Sequence, residues 1–293
     1  CGAVILAIAG DVVPEIRRGR AMGLIMSSFS LASVLGVPIG LYLANKFSWH
    51  APFFLLAASS VPVLAAAYWL TPSIRPQPQN KGTALGHLWE IFRERGHAKA
   101  FAFMAAVTLT GFLVIPYISP YLVKNVGMLE TELPYIYLAG GACTIFTMNI
   151  IGRLSDRYGK RRLFAIMVLC AMGATLLLTH LPPVRTAVAV LAATLFMICM
   201  SGRFVPAMAL MTSAVSRRMR GGFMGVSSAV QHLSSGLGSF IGGLVLAETS
   251  SGRLKGYGAV GCICGGVALA SLALCLLLPA PVAEPPVTSG PAA

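Results

Sequence analysis

Acidic side chains are scarce in this sequence, nine Asp and Glu against 22 Lys and Arg, and charged residues of both signs make up only 11% of its 293 positions. Water-soluble domains carry roughly 25% charged residues, so a shortage of this size excludes an ordinary soluble globule. No Asp or Glu falls near the middle of any long apolar run, which removes an intramembrane carboxylate pair. There is also no G-x-S-x-G elbow, no H-E-x-x-H and no phosphate-binding P-loop, so an enzyme is not expected. The seven cysteines form no C-x-x-C and no Cys/His ligand spacing; they are expected to be small buried apolar residues, with no metal and no cofactor. No signal peptide is visible ahead of the first long run, and the first residue is Cys1.

What is present is apolar: 56% of residues, with a mean hydropathy of +0.78. The expectation is an all-α, polytopic membrane helix bundle. The formal net charge of +13 would suit nucleic acid if the basic residues formed a patch. They do not. Arg17, Arg18 and Arg20, then Arg75, Lys81, Arg93, Arg95 and Lys99, then Arg153, Arg157, Lys160, Arg161 and Arg162, then Arg217, Arg218 and Arg220 occupy alternate inter-run segments. The segments between them carry only Lys46, Lys124, Arg185, Arg253 and Lys255. Positive charge accumulates on the cytoplasmic side of membrane proteins, so the rich groups are assigned there, in a cell (inner) membrane, and nucleic acid is not an expected partner.

One stretch occurs twice. A shift of 202 positions lays Val13, Arg18, Gly19, Met22, Gly23, Leu31, Ser33, Leu35, Gly36, Ile39 and Gly40 on identical residues at Val215, Arg220, Gly221, Met224, Gly225, Leu233, Ser235, Leu237, Gly238, Ile241 and Gly242. Each copy reads as a basic cytoplasmic turn feeding a helix whose paired glycines permit close packing, so Gly36, Pro38, Gly40, Gly238 and Gly242 are expected at helix contacts. A period near 200 residues suits six spans with their loops, the half-molecule of a secondary transporter. The same period predicts that the first half begins about 100 residues before Cys1, so the chain is expected to be a fragment lacking three helices and part of a fourth.

On that numbering residues 1–71 hold the end of helix four and helices five (Ala21 to Ala44) and six (Ala51 to Leu70) of the N-terminal half. Residues 72–98 form a cytoplasmic linker, rich in proline at its start, in which Leu85, Leu88, Trp89 and Phe92 recur at the spacing of an interfacial helix. Residues 99–279 form the C-terminal six-helix half: helix seven from Ala100 to Val123, eight from Leu133 to Ile151, nine from Leu163 to Leu181, ten from Ala187 to Ala214, eleven from Gly221 to Ala247 and twelve from Tyr257 to Leu278. Pro116 and Pro120 should bend the outer end of helix seven, either as a gate or as an ordinary kink. Residues 280–293 are expected to be a disordered tail.

Between helices eight and nine stands Gly152-Arg153-Leu154-Ser155-Asp156-Arg157-Tyr158-Gly159-Lys160-Arg161-Arg162. This resembles the signature loop of the major facilitator superfamily, and Gly36-Val37-Pro38-Ile39-Gly40 is similar to the glycine-proline motif of its proton-driven antiporters. The resemblance is to twelve-helix drug and metabolite efflux proteins of that superfamily, and it implies two six-helix pseudo-repeats, the first incomplete here. It also implies a cytoplasmic gate in which Gly152, Asp156, Arg157, Gly159 and Lys160 latch near the start of helix five. Asp11, at the inner end of helix four, could pair with an arginine of the first-half loop, but its repeat partner is Ser213, so the second latch lacks that acidic member. The alternative is that the basic loop only sets topology.

Polar groups inside the spans mark candidate substrate contacts. Arg203 lies about midway along helix ten, where a guanidinium costs about 2.5–3.5 kcal/mol and must meet water, a partner or substrate. Gly221, Gly225, Ser228, His232, Ser235, Ser239 and Gly242 follow steps of four and three along helix eleven, with His232 near the middle. Gln231, Asn149 and Tyr117 complete the candidate cavity; for each, interhelical bonding is the competing reading. The expected function is alternating-access transport, a proton-coupled efflux of a small organic molecule by a monomer in the bilayer. A proton symporter or uniporter for uptake is the first alternative, and a non-transporting membrane sensor the alternative of another class.

Overall fold

Backbone N–H and C=O groups have no water to bond in hydrocarbon, so long apolar runs are forced into helices that satisfy them internally. The computed structural model describes residues 32–70, 95–213 and 220–278, and these are helical almost throughout. A π turn at Ala32–Gly36 leads into α1 (Val37–Lys46), followed by α2 (Ala51–Leu70), α3 (Arg95–Val114), α4 (Leu133–Tyr158), α5 (Lys160–Thr179), α6 (Thr186–Ser213), α7 (Arg220–Val245) and α8 (Tyr257–Leu277). They correspond in order to the expected helices five to twelve. Six described stretches are long and apolar enough to cross a membrane, from Ala51–Trp69 to Tyr257–Leu277. The 26 residues of α7 are also long enough, but glycine and serine dilute its apolar character. The chain is a multi-pass membrane protein.

In the bundle α3 packs between α7 and α8, α6 packs between α4 and α5, and α8 closes against α5. The core falls into two apolar clusters. One, toward the outer end, joins Leu113, Leu122, Phe196 and Tyr257; the other, toward the inner end, joins Phe103, Phe164, Met211 and Phe223. Buried Thr108, Thr110 and Arg203 lie between them. By contrast α2 is exposed along its whole span, with Phe54, Leu64 and Trp69 all facing outward, and its two serines turn back onto their own backbone at Leu56 O and Ala57 O. A helix that is apolar all round suits hydrocarbon or other helices rather than water.

The expected boundaries move in three places. The signature segment is not a loop: Gly152 to Tyr158 continue α4 as helix, Lys160 opens α5, and Gly159 alone joins them. Gly159 has φ +90° and ψ 135°, a conformation open in practice only to glycine, and this lets one residue reverse the chain. Helix seven, expected to bend at Pro116 and Pro120 and to end at Val123, is irregular there and ends at Val126. Past α3 it runs on through a 3-10 turn at Ile115–Tyr117, a helical turn at Ile118–Tyr121 and a π turn at Leu122–Val126. An antiparallel pair, β1 (Ala247–Glu248) with β2 (Leu254–Lys255), links α7 to α8, where no strand was expected. The cysteines also divide: Cys199, Cys264 and Cys275 are buried, whereas Cys143, Cys170 and Cys262 are exposed. In a membrane an exposed thiol on an apolar helix can face lipid, so burial in the bundle is not required. Helix four with Asp11, residues 21–31 of helix five, the interfacial helix, Arg217 and Arg218 and the tail lie outside the described residues.

Candidate functional site

Arg203 is only 2% exposed. Its Nη2 donates to the carbonyl of Val107 on α3 at 3.0 Å, while Nε and Nη1 are buried without an acceptor among the described residues. Gly111 lies beside it on α3, where an added Cβ would stand 3.8 Å from Nη2, an ordinary contact. The guanidinium therefore sits inside the bundle, between α3 and α6, rather than on an open face. Adjacent Gly202 turns the other way, toward Ile151 of α4 and Met167 of α5.

The open polar face belongs to α7. Its buried side, with Phe223, Ser227, Ser234, Gly238 and Gly242, meets α3. Gly238 lies against the carbonyl of Leu109 and Gly242 against that of Leu113, where added Cβ atoms would stand 3.0 and 2.7 Å away. On the next arc Ser228, Ser235 and Ser239 are half-buried and His232 is exposed, its ring without a hydrogen bond among the described residues. Gln231 is half-buried and turns back to Ser227, donating to its carbonyl and hydroxyl at 3.2 Å each. Tyr117 ends this arc: its hydroxyl donates to Ser239 O at 2.5 Å. Tyr117 thus abuts the arc that carries His232, Gln231 turns onto the buried side with Ser227, and Arg203 lies behind the wall that α3 makes. Asn149 is a residue of α4, and its side chain is outside the described set.

The glycines expected at contacts split. Gly36 has nothing within 4 Å, and a Cβ on Gly40 would only touch Pro52 at 4.0 Å, so neither makes a close approach among the described residues. Pro38 instead lines a cleft of about 600 Å³ between α1 and α4, with Tyr42, Lys46, Thr131, Pro134 and Tyr135. At the inner end Gly152 has no described neighbour within 4 Å, the Asp156 side chain is outside the described set, and Arg157 lies over the Tyr158 ring at 5.6 Å. Lys160 Nζ reaches Ala209 O of α6 at 3.5 Å, and Arg161 Nη2 donates to Leu278 O at 2.6 Å, covering a carbonyl at the end of α8.

Several anchors were not legible beforehand. The 3-10 turn at Pro116 diverts the Ile118 N–H to Ile115 O, and the vacated carbonyl of Val114 accepts the hydroxyl of Tyr257 at 3.2 Å. Asn125 pairs with Leu254 in both directions at 2.8 Å, and Lys124 meets Glu248 at 2.8 Å. Glu132 accepts from Thr186, joining the starts of α4 and α6. Side-chain to backbone pairs more than 120 positions apart leave no periodic trace. No group of His, Cys, Asp and Glu able to hold a metal occurs among the described residues.

A sequence model of the family described as Major Facilitator Superfamily matches residues 1–202 and again 102–293. The putative transporter AraJ of Escherichia coli strain K12 is 27% identical over 251 residues, covering 84% of this chain and 60% of that protein. The uncharacterized MFS-type transporter YwfA of Bacillus subtilis strain 168 is 29% identical, covering 92% and 64%. This chain therefore spans about 60% of the length of such relatives. Among solved structures, the fucose:proton symporter FucP of E. coli shares the fold, with a TM-score of 0.61 at 17% identity over 90% of this chain and 70% of that one.

Proposed function

This chain belongs to the Major Facilitator Superfamily, and on that premise we propose that it works in secondary active transport by alternating access, as a proton-coupled exporter of a small organic molecule from the cytoplasm. The observation that carries the reading is His232, an imidazole exposed at mid-length on α7 beside Ser228 and Ser235, with no bonding partner among the described residues to explain it as packing. Histidine is the side chain whose ordinary titration lies nearest neutral pH, and in a water-filled chamber it can carry a proton or bond a solute. Tyr117 borders that face through its bond to Ser239, and Gln231 and Asn149 are kept as further cavity contacts.

The remaining assignments follow from the same scheme. Residues 1–71 belong to the N-terminal half, 72–98 to the cytoplasmic seam, 99–279 to the C-terminal half and 280–293 to a tail. The cytoplasmic gate is the one-residue reversal at Gly159 with Gly152, Asp156, Arg157 and Lys160, and Asp11 is kept as the acidic member of the first-half counterpart. What supports a latch is that Gly159 joins the basic end of α4 directly to the basic start of α5, a constraint that topology alone does not need. A carboxylate seated at a helix N-terminus in one state only is worth about 0.3–2 kcal/mol, which shifts the two-state balance by between about twofold and about thirtyfold. The protein is a monomer in the inner membrane.

The test uses the full-length protein in everted vesicles with an acidified lumen and a pH-sensitive dye. An exporter that exchanges solute for protons releases the lumenal protons when its substrate is added outside; a symporter drives proton movement in the opposite sense, and a uniporter moves none. His232→Ala should abolish the coupled proton flux while leaving the protein folded. Coupling unchanged in that variant, or a panel of organic solutes that moves without protons, would sink the proposal.

A further inference from the structure

At the outer end, between α1 and the turn into α4, lies the cleft of about 600 Å³ that Pro38 lines. The two helices run antiparallel there, since α1 reaches the outer end with Lys46 and α4 leaves it from Leu133. The lining therefore falls into layers. Asn45 and Lys46 stand with Thr131 at the mouth, Tyr42 stands one turn below with Pro134 and Tyr135, and Pro38 and Ile39 form the floor. Steps of three and four place the α1 residues on one helical face, and Thr131, Pro134 and Tyr135 share a face of the other wall in the same way. The cleft is thus polar at its mouth and largely apolar below, in the order of a bilayer leaflet.

The mouth also lies at headgroup depth. Phe47 and Trp49 follow Lys46 within three residues and are 69% and 67% exposed, as aromatic residues at a membrane–water interface are. Lys46 is drawn to the mouth: its ammonium donates to Tyr42 Oη at 3.0 Å and lies over the Tyr42 and Phe47 rings at 5.4 and 5.9 Å. Tyr42 takes one of its three N–H groups, and two remain to donate elsewhere. The Asn45 amide and the Thr131 hydroxyl add neutral donors, and Lys46 is the charged residue of the lining. Glu132, on the same turn as Thr131, is engaged by Thr186 of α6 and by the Leu129 N–H.

We propose that this cleft seats one phospholipid of the outer leaflet, with its phosphate at Lys46, Asn45 and Thr131 and the first part of one acyl chain between Tyr42 and Tyr135 and down to Pro38. A negative head matches the positive mouth. The volume is in the range that encloses small organic ligands, so one chain enters and the other stays in the bilayer. A leaflet lipid presents head and chain in the same order and at the same depth as the cleft, so it binds without inverting. The proposal needs a chain embedded in the membrane and neither the direction nor the coupling of transport, so either reading can fail alone.

The experiment uses the full-length protein, delipidated in mild detergent and titrated with phosphatidylglycerol, phosphatidylethanolamine or dioleoylglycerol, which has the chains without the phosphate. Native mass spectrometry counts the molecules retained. One phospholipid per chain should survive activation that strips the rest, and the diacylglycerol should not. Lys46→Gln should lower the apparent affinity about fivefold, the value of one basic side chain at a lipid surface. Tyr135→Ala should weaken retention of both phospholipids, whereas Lys124→Gln, whose cation pairs with Glu248, should leave it unchanged. Independently of any variant, a phosphatidylglycerol with a photoreactive group near the head of one acyl chain should label residues 38–42 and 131–138. Equal retention of the diacylglycerol, equal losses in Lys46→Gln and Lys124→Gln, or labelling confined to other segments would overturn the site; the last result would mean that another part of the full-length chain fills the cleft.

Discussion

Replacing Gly242 by Ala places a methyl 2.7 Å from Leu113 O and 2.8 Å from Tyr117 Cε2. The first of these is backbone of α3 and has no rotamer to escape into. To restore a normal contact near 3.4 Å the two helices must separate locally by a substantial fraction of an ångström, and the Tyr117–Ser239 hydrogen bond, three residues away on α7, opens with them. Overpacking of a tight interface costs about 1–3 kcal/mol, and a lost hydrogen bond adds about 0.5–1.5 kcal/mol. Gly238→Ala meets Leu109 O at 3.0 Å and the Phe112 carbonyl carbon at 3.2 Å, a milder conflict, and is expected to cost about 1 kcal/mol. Gly236→Ala is the internal control, because it has nothing within 4 Å and the same gain in helix propensity. The assay is thermal unfolding of the purified chain in one detergent, where about 1 kcal/mol corresponds to about 2–4 °C. The midpoints should fall in the order Gly236→Ala, Gly238→Ala, Gly242→Ala. Measured again in a Tyr117→Phe background, the Gly242→Ala penalty should shrink by the value of the bond already lost. If Gly242→Ala unfolds with Gly236→Ala, the close approach of α3 and α7 is not what the glycines are for.

Gly159→Ala should lower the midpoint by an amount equivalent to about 1–3 kcal/mol, since φ +90° is strained for any side chain; an unchanged midpoint would refute a one-residue reversal between α4 and α5. Tyr257→Phe leaves the Val114 carbonyl buried without a donor and should cost about 1–3 kcal/mol, measured the same way, with no loss implying that water replaces the hydroxyl. At the outer end Asn125→Ala removes two bonds to the Leu254 backbone and should destabilise in high and low salt alike. Lys124→Ala, whose ion pair with Glu248 is solvent-exposed, should change the midpoint little, and less still as salt rises. Equal effects of the two substitutions would mean that the hairpin is held by charge.

The residues themselves carried a good deal of this protein. A shortage of acid, alternating basic segments and runs long enough to cross hydrocarbon leave few choices, because a bilayer admits only chains that bond their own backbone. Helices at Ala51–Leu70 and Tyr257–Leu277 were legible to within a residue for that reason. The repeated stretch and the segment from Gly152 to Arg162 pointed to the family before any coordinates. Sequence spacing also put His232 and the serines of α7 on one stripe. Only the tertiary structure decided which way each polar group faces. Gly238 and Gly242 press on α3 while Gly36, identical to Gly238 in the repeat, meets nothing described, since a contact depends on the neighbour and not on the motif. Mid-span position marked Arg203 as unusual, yet its enclosure behind α3, and the donors it leaves unmet, follow from how α3, α6 and α8 converge. Distances along a chain set helical faces; what those faces touch is settled by packing between segments that sequence leaves far apart.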